Sequence, residues 1–297
     1  MEKRRRLGRG LEDISHYFIS PQQTIDQKKE DLTCQRKDEA IRCQALSIVD
    51  MLEPHRSAQL ISRIGVELCK KGFRTLIIDS DTRFPSVAFV LGLSIPGYSF
   101  THYSQDQYQP TDMVYTGPFE LKLLAPRLSI HDVCKIKMPD VSLIFTALEA
   151  IERETDIVIL RQHESRLQPL IDEAVFIIPA FQTGMIRVYR EVKSFVAGTA
   201  GKKIGILVSD AVDEVSAREV YGKISKCMEI SCGIRPYFCG YLSDRTTFSV
   251  SKIVGHISEI ALDNRRMGKG RRLFFERLRY LIGNDNLTTK EMASLQD

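Results

Sequence analysis

The feature that most constrains how this chain can fold is an alternation of two kinds of segment. Short aliphatic runs lie at 44–49 (QALSIV), 74–79 (RTLIID), 120–125, 156–160 (DIVIL), 174–178 (AVFII), 203–208 (KIGILV) and 236–242. Helix-like stretches near 56–71, 84–92, 139–153, 184–197 and 213–230 separate them. A strand that is apolar at every position must be covered on both faces, and strands joined through helices run parallel because each crossover returns the chain to the same end of the sheet. The alternation therefore predicts a three-layer, doubly wound α/β fold with a mostly parallel sheet. The first helical stretch has the register this requires, with Leu60, Ile61, Ile64 and Leu68 on one face.

With 297 residues, 43% of them hydrophobic, the chain is long enough to bury the core of one large domain. No run approaches the roughly 18 consecutive apolar residues of a membrane span, and no apolar stretch follows the basic N-terminus as it would in a signal peptide, so the expected location is the cytoplasm. The seven cysteines fall at irregular spacings and read as reduced thiols. Cys227, Cys232 and Cys239 lack the paired CxxC spacing of a structural metal site, and no metal is expected there.

Charge is concentrated at the ends. Residues 1–10 hold five basic and one acidic residue, 263–283 hold seven and two, and 11–262 hold 29 and 32. Basic ends on a slightly acidic body point to an acidic partner, anionic lipid or nonspecific DNA; solvated tails that aid solubility are the simpler alternative. Residues 1–42 read as a flexible basic peptide and polar linker, 43–262 as the α/β domain, and 263–297 as a basic amphipathic helix and tail. In GKGRRLFFERLRYLIG, residues 268–283, Phe274, Leu278, Leu281 and Ile282 recur at helical spacing with Leu273 and Phe275 beside them, while Arg271, Arg272, Arg277 and Arg279 occupy much of the rest. That is the pattern of an interfacial membrane helix. It is equally the pattern of a last helix packed on the domain with arginines outward, and periodicity does not separate the two.

Between the first strand and the first helix lies IVDMLEPHRSAQLISR, residues 48–63, which contains no glycine. A loop in this place of a doubly wound fold is where phosphates are cradled, by glycines that let backbone N–H groups converge and by a lysine that neutralises charge. Here Glu53 adds negative charge and Pro54 removes a donor.

The order of VELCKKGFRTLIIDSD (66–81), SVAFVLGL (86–93), DIVIL (156–160), IDEAVFIIPAFQTGMIRVYREVKSF (171–195), IGILVSDAVDEVSAREVYGKI (204–224) and YFCGYLSDRTTFSVSK (237–252) resembles the MinD/ParA group of P-loop ATPases, in the style of FlhG, over residues 43–283. The resemblance implies a SIMIBI-class P-loop NTPase fold, and it places the family's lysine- and glycine-rich loop near 51–58, where this chain reads MLEPHRSA. Arg56 in place of the lysine, Ser57 in place of the magnesium-binding hydroxyl, and Asp79 and Asp81 where strand-end and switch aspartates lie are what remains of a nucleotide site. Where the family's strand ends in a metal-holding aspartate, DIVIL runs into Arg161, Gln162 and His163.

The expectation is a degenerate member: a catalytically inactive pseudo-ATPase, with no cofactor, that positions or recruits a partner at the membrane or cell pole. One alternative is an ATPase with an unconventional loop built from Arg56, Ser57, Asp79 and Asp81. A second is a ParA-like partition factor that binds DNA nonspecifically. The implied partners are an active MinD-, ParA- or FlhG-type ATPase or its cargo, an anionic surface on the inner face of the cell membrane, DNA, and a second copy of the chain. At the N-terminus, Leu7, Gly8, Arg9, Gly10 and Leu11 resemble the LGRGL opening of ParB proteins, the segment that contacts ParA, which implies a docking peptide that folds on its partner.

Overall fold

In the computed structural model, which describes residues 43–50, 54–79, 86–94, 114–124, 138–161, 167, 170–180, 189, 190, 192, 193, 195, 196, 203–243, 250–266 and 273–280, the apolar runs assemble into one sheet. Its strands are β1 (Gln44–Asp50), β2 (Thr75–Asp79), β3 (Val114–Thr116), β4 (Lys122–Leu124), β5 (Ile157–Arg161), β6 (Glu173–Pro179), β7 (Lys203–Ser209) and β8 (Tyr237–Tyr241). The helices are α1 (Pro54–Lys70), α2 (Ser86–Val90), α3 (Met138–Arg153), α4 (Glu214–Cys232), α5 (Ser251–Arg266) and α6 (residues 274–280). Strand order is β3-β4-β2-β5-β1-β6-β7-β8, and every neighbouring pair is parallel except β3 with β4.

Every residue of β2 and β5 is buried, which is why these segments read as unbroken apolar runs. Leu60, Ile61, Ile64 and Leu68 of α1 are all fully buried, each contributing about 1.5–3 kcal/mol of hydrophobic stabilisation. α4 is bounded by a capping box between Asp213 and Ser216 and by Gly233 in the left-handed conformation (φ 67°), where a side chain would be strained.

Two elements are missing from the sequence reading, β3 and α5. β3 is three residues long, half-buried or exposed at the sheet edge, so it carries no apolar signature. It pairs with β4 through a tight turn in which Phe119 and Glu120 both take positive φ (56° and 62°), a conformation that Asn-Gly would announce and Phe-Glu does not. α5 was missed although it carries a signal: Ile253, Val254, Ile257, Ile260 and Ala261 recur at helical spacing and are buried. It runs through the boundary placed at 262/263, and the chain from Arg42 onward forms one compact unit.

The described part of the C-terminal helix packs on the domain. Leu273, Phe274 and Phe275 are buried, the two rings meet edge to face at 5.3 Å, and Leu278 packs against the main core. These apolar groups cover the domain and form no lipid-facing stripe. The arginines also face protein: Arg277 pairs with Asp172 at 3.0 Å, and Arg279 donates to Ser142 Oγ at 2.9 Å. Arg271, Arg272, Leu281 and Ile282 lie outside the described residues, as do Leu7, Gly8, Arg9, Gly10 and Leu11. Among the described residues no helix is long and apolar enough to cross a membrane.

α6 is held by a carboxylate at its N-terminus. Glu152, in the last turn of α3, accepts the N–H groups of Phe274 at 2.6 Å and Phe275 at 2.9 Å, satisfying donors that have no partner within the helix. Burial nevertheless pushes its carboxyl up from the ordinary 4.5 to about 7, with Asp172 adding to the rise while the two N–H bonds and Arg277 oppose it. A group whose folded-state pKa is raised favours the folded state when protonated. Its stabilisation is complete below pH 4.5 and is lost as pH climbs through about 7. The expected result is a loss of about 2–4 kcal/mol between pH 5 and pH 8 from this group, read as a falling urea midpoint that flattens in Glu152→Gln. An identical slope in wild type and variant would show that Glu152 is not the titrating group.

Candidate functional site at the carboxyl ends of the strands

The chain reverses its direction of travel across the sheet at β1, which has β5 on one side and β6 on the other. In open α/β sheets the crevice at such a point, outside the carboxyl ends of the strands, is where ligands bind. Three elements border it here: the start of α1, the paired ends of β2 and β5, and the end of β7.

α1 begins with Pro54, which has no N–H to offer, and its first turn contains no acidic residue. Arg56 reaches over to the end of β7, where its Nη2 donates to Asp210 Oδ1 at 2.7 Å. Asp210 is nearly buried, takes positive φ (59°), and also accepts a bond from Ser209 Oγ at 2.9 Å. A short polar side chain is among the few that enter this backbone region readily. Ser57 is fully buried, and its hydroxyl oxygen has no hydrogen-bond partner among the described residues.

The ends of β2 and β5 hold the other charged group. Parallel pairing sets Asp79 directly beside Arg161, and both side chains are buried, 0% and 1% exposed. Arg161 Nη1 donates to Asp79 Oδ1 at 3.1 Å and to Ser86 Oγ at 2.6 Å, while Asp79 Oδ2 accepts the N–H of Val87 at 3.3 Å. Two strand ends and the first turn of α2 are thus tied by one guanidinium and one carboxylate. A buried charge is tolerated best when paired and hydrogen-bonded, and these bonds meet most of that requirement, Arg161 Nε having no hydrogen-bond partner among the described residues.

Two of the sequence-derived site residues are engaged in ion pairs. Asp79 is bonded to Arg161 and Arg56 to Asp210, and Asp81 lies outside the described residues. Two residues of this arrangement, Ser86 and Asp210, were missed. The signal for Asp210 was an aspartate just past an apolar run, one residue beyond it after Ser209.

No protein-family profile matches the sequence, and no curated protein matches it. Solved structures do match. The MinD cell division protein of Aquifex aeolicus superposes with a TM-score of 0.51 at 15% identity, over 77% of this chain and 99% of that one. A plasmid partition protein from Borrelia burgdorferi gives 0.51 at 16%, over 75% and 99%. The chain has the MinD/ParA fold. A third neighbour is cobyrinic acid a,c-diamide synthase from Mycobacterium smegmatis, with a TM-score of 0.52 at 16% identity over 78% and 98%, and that structure holds an ATP analogue and magnesium. Identities this low establish the MinD/ParA fold and leave function to the site.

The residues at that site depart from a lysine- and glycine-rich phosphate loop. The stretch 51–58 has no glycine or lysine, the helix opens on a proline, and the strand-end carboxylate is engaged by an arginine. A guanidinium beside Asp79 disfavours a divalent cation there by direct charge repulsion, which is strong where water is excluded.

Proposed function

We propose that this chain is a catalytically inactive protein of MinD/ParA fold, indifferent to nucleotide, that works by placing or recruiting a protein partner. The observation that carries this reading is the buried Asp79–Arg161 pair. It supplies internally the positive charge that a metal ion would bring to a strand-end carboxylate, and it leaves that carboxylate no vacancy to fill. The Arg56–Asp210 pair supports the same reading, since the one cation at the start of α1 with a claim on phosphate is bound to protein. Two of the structural neighbours are a cell division protein and a plasmid partition protein, which favours spatial organisation as the class of process. The synthase neighbour warns that the same fold also serves ATP-dependent chemistry, so the weight rests on the site residues.

Calorimetric titration of the full chain with Mg-ATP and Mg-ADP to millimolar concentration tests the reading. The expected result is no binding heat and no shift in melting temperature, because a ligand that binds the folded state must raise it. Micromolar binding by either nucleotide would overturn it.

A further inference from the structure

A protein that works by presenting a surface must hold that surface still, and one that ignores nucleotide must do so with its own side chains. The element in question is α2. It is five residues long, too short to be stable by itself, and it carries Phe89, 72% exposed, on its outer side while Ser86, Val87, Ala88 and Val90 are buried. At its C-terminal end Leu91 N–H bonds Val87 O, Gly92 N–H bonds Phe89 O and Leu93 N–H bonds Ala88 O. Besides its packing on the domain, its first turn is bonded from outside by Asp79 Oδ2 on the Val87 N–H and Arg161 Nη1 on Ser86 Oγ.

We propose that the Asp79–Arg161–Ser86 network is a built-in latch that fixes α2, and the exposed Phe89 it carries, in one position without any ligand. The inference rests on the nucleotide-indifferent reading above and gives it a mechanism. Both latch residues stand on central strands, where β2 and β5 are paired through Asp79 and Arg161, so the latch is as rigid as the sheet. The charges are fully buried, so the latch is poorly screened by salt and has no competing water. Two bonds run from this pair to the first turn of α2, and loss of one should loosen that turn before it loosens the sheet.

The test is amide hydrogen exchange on the full chain and its Ser86→Ala variant, which removes one bond to a charged group and leaves the ion pair in place. The amides of Val87, Leu91, Gly92 and Leu93 are expected to exchange about tenfold or more faster in the variant, with those of Ile206 and Leu207 in β7 unchanged. Asp79→Asn, which keeps an acceptor for Val87 but drops the charge, should also speed the α2 amides, on top of a general rise in exchange from its lower overall stability. Unchanged α2 exchange in both folded variants would overturn the latch, as would α2 amides that exchange at unprotected rates in the wild type. The two proposals fail separately. Nucleotide heat with variant-sensitive α2 exchange sinks the functional reading and keeps the latch, whereas no heat with insensitive α2 exchange does the reverse.

Discussion

Replacing Arg161 by methionine is expected to lower stability by about 3–5 kcal/mol, the cost of leaving a buried carboxylate without its partner. Methionine fills much of the volume of the arginine stem, so the loss comes from charge and not from a cavity. Asp79 would then sit fully buried with no guanidinium beside it, keeping only the weak Val87 N–H bond among those described above. Asp79→Asn alone should cost a similar amount by stranding the guanidinium. The double variant Arg161→Met, Asp79→Asn should cost no more than either single variant, because neither charge is then buried alone, so the coupling between the two sites should be at least about 3 kcal/mol, the size of one single-site cost. Urea midpoints for the four proteins complete the cycle. Additive single-site costs, or an Arg161→Met variant within 1 kcal/mol of wild type by such a cycle, would mean that the pair contributes nothing beyond its own geometry.

What the sequence disclosed of this site follows from how local each signal is. The loss of glycine and lysine before α1 is a property of eight adjacent residues and could be read directly. Arg161 at the end of an apolar run was equally visible as a cation out of place, but its partner lies 82 positions away and depends on strand order. Once β2 and β5 are known to be neighbours in register, Asp79 and Arg161 must meet. The strand order itself has no local code. The Arg56–Asp210 pair is more remote still, since it joins the start of α1 to the end of β7 across 154 positions.

The fold was more legible than the site because burial on both faces writes itself into every residue of a central strand, as in β2 and β5. The C-terminal helix shows the converse. An apolar stripe flanked by arginines states that something covers the stripe and something neutralises the charge, without naming either. The covering surface turned out to be the main core, and the neutralising groups include Asp172, 105 positions before Arg277. Nothing near Phe274 in the chain foretells that Glu152 will cap its helix.

Truncating Phe275 to alanine separates the docked helix from a lipid anchor by the sign of two measurements. In the docked arrangement Phe275 is 1% exposed and packs edge to face on Phe274, so its loss should cost about 3–5 kcal/mol in urea unfolding, the range for a large aromatic removed from a core. Phe274→Asp should be worse, because it buries an unpaired carboxylate beside Glu152, whose burial already makes ionisation unfavourable. Co-sedimentation with anionic vesicles should then be weak for the wild type and no weaker for Phe275→Ala, since the apolar face that would enter lipid is already occupied. A membrane-inserting helix predicts the opposite pair of results. Its aromatic face would be free in the unbound protein, Phe275→Ala would leave the urea midpoint where it was, and vesicle binding would fall by roughly tenfold or more for the apolar area lost from the interface. That second pattern would place α6 off the domain in solution and return the basic helix to the role its sequence pattern also allows.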